Sequence, residues 1–152
     1  MDDLLAYEVK PRVDPTDVLR QWVLDRRPAL AVTGHLAGGT LLDKNVGTDL
    51  PGTGLVGRVP FVLISGFGGD TDRFGGVYDH EIAVFADTYA RASRLALGLE
   101  AGLLGYPFVV STGGRSVLVD RVTVPVPFAE LEWQKDSPIR RFQGTIQVSI
   151  RR

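Results

Sequence analysis

The alternation of apolar and polar residues is clearest near the end of the chain, where it predicts a β-strand. In residues 142–150 every second residue is apolar or glycine, and the residues between them are glutamine, threonine and serine. Successive side chains of a strand point to opposite faces, so this strand has one apolar and one polar face. The apolar face requires a hydrophobic partner, and the pattern also permits an edge strand that pairs with a neighbouring subunit.

Two segments have apolar residues at the spacing of an amphipathic helix. The first is capped by Asp14 and extends to Arg26, and the second follows Asp87-Thr88 and ends at Gly105. Small residues on the apolar face of the second helix indicate close packing against a sheet. This helix is therefore the expected partner of the last strand.

Three further strands are predicted. Residues 59–65 form an apolar run typical of a central strand covered on both faces, residues 78–86 alternate, and residues 117–126 are rich in β-branched side chains and end at prolines. Residues 29–32 are predicted as a short strand or turn. The order of elements predicts an α+β fold, an antiparallel or mixed sheet with two main helices on one face and long glycine-rich loops.

The glycines are concentrated in two parts of an otherwise ordinary composition. Of the 18 glycines, seven lie between Gly34 and Gly57 and five between Gly66 and Gly76. Residues 34–58 are predicted as a protruding loop or arm, because compact domains rarely contain so long an irregular segment. Residues 1–152 are otherwise expected to form one domain, with 1–13 as an N-terminal extension.

Charge and cysteine content exclude several classes of function. With 17 basic and 18 acidic residues the net charge is -1, which gives no general affinity for nucleic acid. The chain has no cysteine, so disulfides, thiolate zinc sites and cysteine nucleophiles are excluded. No apolar run approaches the roughly 18 residues of a membrane span, and the N-terminus lacks the positive region of a secretory signal. A cytoplasmic product that does not contact a membrane is expected.

Two motifs match ligand-binding patterns only in part. Residues 52–57 have the glycine spacing of a dinucleotide fingerprint, but no strand precedes them and no helix follows, so a flexible loop is predicted. Residues 70–81 begin like a calcium loop, but Phe74 stands where an oxygen ligand is needed. A turn capped by aspartate side chains is therefore favoured.

No residue is predicted to be catalytic, to bind a cofactor or to ligate a metal. His35 and His80 lack metal-ligand spacing, and His80 and Glu81 point to opposite faces of a strand. A rival hypothesis places His80, Glu81 and Arg91 in a pocket of a small enzyme or ligand-binding domain. The arginine pairs at 26–27, 140–141 and 151–152 are expected at solvated ends of elements or in ion pairs between subunits.

A series of short signatures follows from Asp14 to the end of the chain. They are the capped helix with Trp22, residues 59–64 leading into the glycines of 66–69, Tyr78-Asp79, the helix with Tyr89-Ala90-Arg91-Ala92, Val119-Asp120-Arg121-Val122, Trp133, and Arg140-Arg141-Phe142 leading into 148–152. In this order they resemble the tail terminator proteins of long-tailed (siphovirus-like) bacteriophages, especially those that infect actinobacteria.

The resemblance implies a structural virion protein without enzymatic activity. Members of this family form a hexameric ring that caps the tail tube, stops addition of the major tail protein and offers its other face to head completion or stopper proteins. DNA passes through the ring without specific binding. The implied location is the tail and neck of the virion, after assembly in the host cytoplasm. Alternatives are another neck or tail protein, namely a head-tail adaptor, a stopper or a tube subunit.

Overall fold

The computed structural model of the protein describes residues 13–36, 41–52 and 54–151. The helices are α1 (Pro15–Asp25), α2 (Arg27–Val32) and α3 (Tyr89–Leu103), and a 3₁₀ turn lies at Asp43–Asn45. The strands are β1 (Val46–Gly47), β2 (Phe61–Asp72), β3 (Gly75–Ala86), β4 (Phe108–Thr112), β5 (Arg115–Leu131) and β6 (Arg140–Arg151).

The described strands form one six-stranded sheet in the order β1-β2-β3-β6-β5-β4. Every pair is antiparallel except β1–β2, and β2–β3 and β4–β5 are hairpins. The predicted α+β class with a mixed sheet is confirmed. The pattern of the last strand left open whether it is an edge strand, and the structure places this strand, β6, between β3 and β5. Both of its sides already have partners within the chain.

The main core lies between the helices and one face of the sheet. The apolar face of β6 is buried there, with Ile146 and Val148 fully enclosed, and so are Leu95 and Leu99 of α3. The predicted pairing of the long helix with the last strand is confirmed, because the rings of Tyr89 and Phe142 lie 5.3 Å apart. The even-numbered residues of 142–150, which were predicted to point inward, form the buried face of β6.

The first helix begins as predicted and is followed by a second one. The Asp14 carboxylate accepts a hydrogen bond from the Thr16 backbone N–H at 2.9 Å, which satisfies one of the free donors of the first turn. The strand or turn predicted for residues 29–32 is wrong, because these residues belong to α2. Pro28 lies in the first turn of α2, where a missing N–H breaks no helical hydrogen bond.

A second, smaller core lies on the opposite face of the sheet. Phe61 and Phe85 are buried there beneath Leu55 and Ile139, and Trp133 packs edge-on against Phe85 with 5.0 Å between the ring centroids. The start of β2 is therefore covered on both faces, as predicted. Its central position is wrong, since only the two residues of β1 lie outside it.

Two strands continue through residues that were predicted to end them. β2 extends through the glycine cluster to Asp72, and β5 extends through Pro125 and Pro127 to Leu131. Both prolines lie where the register of β5 against β6 shifts, at irregularities between Thr123 and Ala129. Proline is tolerated at such bulges because the ladder hydrogen bonds are interrupted there. β4 was not predicted.

Parts of the glycine-rich segment 34–58 pack against the domain. Leu41, Val46 and Leu55 are buried, and the Asn45 side chain donates hydrogen bonds to the carbonyls of Arg58 and Pro60 at 2.7 and 2.9 Å. The arm that reaches a neighbour stays a prediction for the exposed turns of the segment. Residues 37–40 and 53, like residues 1–12 of the predicted extension, lie outside the described residues.

Candidate assembly surface

The outer side of β2 is an open sheet edge over most of its length. β1 pairs only with Val62 and Leu63, and among the described residues no other strand pairs with this side. Residues 66–72 are all exposed. An open edge presents unpaired backbone N–H and C=O groups, which makes it a template for another strand.

Close contacts with β3 explain several glycines of this edge. A Cβ at Gly66 would lie 3.1 Å from the His80 Nε2, and a Cβ at Gly69, whose φ is +142°, would collide with the Val77 carbonyl oxygen. The register shifts between Gly66 and Gly68, so Phe67 lies in a bulge, with 57% of its surface exposed. The glycine cluster thus builds an edge strand that displays one aromatic side chain.

The opposite edge of the sheet, at β5 and β4, is also partly open. β4 pairs with residues 115–119 of β5, and no described strand pairs with the outer side of β5 from Arg121 to Leu131. Val126 is 53% exposed on this edge. Pro125 and Pro127 lack an N–H, which limits strand pairing to the part of β5 that precedes them.

The sheet face away from the helices is polar between these two edges. Asp79 and Gln147 are cross-strand neighbours on it, and the Gln147 amide donates a hydrogen bond to the Asp79 carboxylate at 3.0 Å. Glu81 is exposed on the same face beside Thr145. This face carries both acidic and neutral hydrogen-bonding groups, and it lies open to solvent beyond the small second core.

Three arginines from the basic pairs have carboxylate partners within the chain. Arg27 contacts Asp43 at 2.8 Å, Arg151 contacts Asp120 at 2.8 Å, and Arg140 forms a bidentate pair with Glu130. Glu130 raises the pKa of the Arg140 guanidinium. Partial burial acts to raise the pKa of Asp120, but hydrogen bonds from Arg151 and Ser149 outweigh it and lower this pKa. Arg152 lies outside the described residues.

The structure separates the residues of the rival pocket hypothesis. His80 is buried on the helix side, where its Nε2 lies 3.0 Å from the Thr16 hydroxyl, and Glu81 is exposed on the opposite face. Arg91 forms a salt bridge with Asp87 at 2.8 Å. Burial is the main cause that lowers the pKa of His80. The predicted orientation of His80 and Glu81 to opposite faces is confirmed.

The remaining motif residues lie in turns. Asp72 accepts a hydrogen bond from the Phe74 N–H at 2.8 Å, which confirms the predicted aspartate-capped turn. The described residues of 52–57 form turns before β2. His35 lies 2.6 Å from the Thr33 hydroxyl, and no group of three metal-ligating side chains occurs within the described ranges. No helix in the described part of the chain is long and apolar enough to cross a membrane.

Reasoning from the sequence missed both open edges as sites. The signals were present, since glycines interrupt an apolar run at 66–69 and prolines interrupt a β-branched run at 125–127. Each was interpreted as the end of a strand, and each marks instead a strand that continues with one side unpaired.

Comparison with known proteins adds a distant structural likeness. No protein-family model matches the chain, and no curated protein matches it. A chain from the virion of a native gene transfer agent particle is 20% identical, with a TM-score of 0.48, and the match covers 96% of this chain and 99% of that one. At this identity and TM-score the likeness carries no conclusion about the function of this chain.

Proposed function

We propose that the protein is a structural virion protein, the tail terminator of a long-tailed bacteriophage, which forms a hexameric ring on the tail tube. The observation that carries the proposal is the sheet with two open edges, one on β2 and one on β5. Because the two edges differ, a contact between them is heterologous, and heterologous contacts that close form rings. The resemblance of the sequence signatures from Asp14 onward supports the terminator role.

The polar sheet face supports passage of DNA through such a ring. Asp79 and Glu81 lie on it and repel phosphate groups, and Arg151 at its end is already paired with Asp120. A surface without clustered free cations does not hold DNA by counterion release. The ring would end addition of the major tail protein on one side and bind a head completion or stopper protein on the other.

The separation of His80, Glu81 and Arg91 supports a role without catalysis. A general acid and base must reach the same substrate atom, and these side chains lie on different faces and elements. Under this proposal the protein is located in the tail and neck of the virion, after assembly in the host cytoplasm.

Oligomeric state and tube capping test the proposal together. Native mass spectrometry of the purified chain at micromolar concentration is expected to show one closed species of about six copies. Added to polymerising tube protein of the same phage, the chain is expected to shorten the tubes and to appear at one end in electron micrographs. A chain that stays monomeric and leaves tube length unchanged would overturn the proposal.

The same measurements separate the alternatives. A tube subunit would form long open stacks by itself, whereas a terminator stops at one or two rings. An adaptor or stopper would form rings that fail to change tube length. An electron micrograph of the neck with this chain located in it then distinguishes the terminator, which touches the tube, from proteins closer to the head.

A further inference from the structure

The two open edges of the sheet occupy the same positions along the strand direction. The height of a residue is its position in this direction, as fixed by the pairing registers. The pairing registers connect Asp70 of β2 to Val77 of β3, Val77 to Ser149 of β6, and Ser149 to Arg121 of β5. Directly paired residues of antiparallel strands share one face of the sheet. Asp70 and Arg121 therefore stand at opposite ends of one row, on the polar face, each on an open edge.

Asp70 and Arg121 are of opposite charge and both are exposed. Among residues 13–36, 41–52 and 54–151, the Asp70 carboxylate accepts a hydrogen bond only from the adjacent Thr71 N–H, at 3.0 Å, and Arg121 forms no ion pair. Three strand spacings of about 4.8 Å separate them, roughly 14 Å within one copy. They cannot pair with each other inside the chain.

Exposed apolar side chains of the two edges lie at similar heights. Phe67 lies between the rows of Ile146 and Gln147. On β5, Thr123 is level with Gln147 and Val126 is level with Thr145, one row beyond Ile146. Phe67 is 57% exposed and Val126 is 53% exposed. The aromatic bulge of one edge therefore stands within about one residue row of Val126 on the other, a distance of about 3.4 Å along the strand.

We propose that the open edge of β2 in one copy pairs with the open edge of β5 in a second copy, with Asp70 opposite Arg121 and Phe67 near Val126. This inference deepens the proposed function, since it assigns the contact that closes the ring. β2 and β5 run in opposite directions, so copies related by rotation about an axis along the strands meet in an antiparallel junction.

The matched heights determine the kind of assembly. A junction without an offset along the strands relates neighbours by rotation alone, so a ring closes when that rotation divides a full turn, whereas an offset adds a translation and produces an open helix. Opposite charges at one height and apolar side chains at another also fix the register, because a slip of one residue moves every side chain to the other face.

Cysteine cross-linking tests the junction directly. The chain has no cysteine, so the variant Asp70→Cys with Arg121→Cys introduces the only two thiols. Opposed residues of antiparallel strands have Cα atoms about 4.5–5.5 Å apart, within the range of a disulfide, whereas the intrachain separation is too large. Oxidation is expected to give a ladder on denaturing gels that stops at the ring size, and neither single-cysteine variant gives more than a dimer.

A charge exchange provides a test that leaves the backbone unchanged. Asp70→Arg alone and Arg121→Asp alone place like charges across the junction and are expected to raise the dissociation constant of the assembly by about tenfold or more. The two changes together restore the pair and are expected to restore the mass of the ring. Asp25→Arg and Arg94→Asp, on exposed positions of α1 and α3, are matched controls that leave assembly unchanged.

The outcomes separate this inference from the proposed function. A ring that caps tubes but shows no cross-linked ladder, and whose double charge variant is no better than the single variants, overturns the junction and leaves the terminator proposal standing. A cross-link confined within one copy, pairing of this β2 edge with residues 1–12 of the same chain, or an unlimited ladder also overturns it. A wild-type chain that neither forms rings nor caps tubes overturns both.

Discussion

At the scale of single residues, His80 is a buried titratable group on the helix side of the sheet. The side chain is 1% exposed and contacts the Thr16 hydroxyl, so it connects β3 to the start of α1. Burial lowers its pKa, while the Tyr78 backbone and the Asp14 and Asp79 carboxylates act in the opposite direction. The folded protein therefore binds a proton at His80 less readily than the unfolded chain does.

The lowered pKa of His80 predicts a loss of stability in mild acid. Below about pH 6.5 the unfolded chain takes up a proton that the folded chain does not, so the free energy of unfolding falls as the pH decreases and is greatest above that value. Urea denaturation at pH 7.5 and pH 5.5 measures the difference. His80→Gln is expected to show a smaller decrease than the wild type, and an equal decrease in both would contradict this origin.

Gly69 and Gly68 are neighbouring glycines with different requirements. Gly69 has a φ of +142° and faces the Val77 carbonyl oxygen, whereas a Cβ at Gly68 would meet the Asp79 carboxylate at an ordinary 3.8 Å. Gly69→Ala is expected to lower the free energy of unfolding by more than about 2 kcal/mol. Gly68→Ala is the control, with a change within about 0.5 kcal/mol. Equal effects in thermal denaturation would refute the distinction.

At the scale of elements, α3 illustrates how the helix face determines stability. Leu99 is fully buried against the sheet and Leu97 is 48% exposed on the same helix. Leu99→Ala is expected to destabilise the fold by about 2–5 kcal/mol because it leaves a cavity. Leu97→Ala keeps a strong helix former and should change stability by less than about 0.5 kcal/mol. Denaturant titration that ranks the two variants the other way would contradict the packing.

Local patterns predicted the elements whose signals lie within one segment. The cap at Asp14, the helical spacing before Leu103 and the alternation from Phe142 to Ile150 are all local, and all three elements formed as predicted. The helix at 27–32 was missed because a proline suits a first turn as well as a helix end. β4 was missed because a strand of five residues depends on its partner β5.

The candidate surface was less accessible to prediction because it depends on long-range pairing. Glycines at 66–69 favour a loop by their conformational freedom, yet cross-strand hydrogen bonds from β3 hold them in a strand. The relation between Asp70 and Arg121 arises only from the registers of four strands. No periodicity within either segment contains that information.

At the scale of the whole molecule, the proposed junction combines one exposed ion pair with one apolar contact. An exposed pair contributes only about 0–1 kcal/mol, so several equivalent junctions in one ring are needed for its effect to accumulate. The apolar contact between Phe67 and Val126 responds to salt in the opposite direction, because kosmotropic salts strengthen apolar burial. The salt dependence of assembly therefore distinguishes the two contributions.

Sodium chloride is expected to weaken the wild-type ring through the pair of Asp70 and Arg121. The Debye length falls from about 10 Å at 0.1 M to about 3 Å at 1 M, which screens exposed charges. Sedimentation velocity over this range should show that the ring dissociates at higher protein concentrations as the salt concentration increases. The variant Asp70→Asn with Arg121→Gln should be weaker at 0.1 M and nearly insensitive to salt. If both proteins lose the ring in parallel, the salt-sensitive contact lies elsewhere in the interface, because neutral side chains at these two positions leave nothing for the ions to screen.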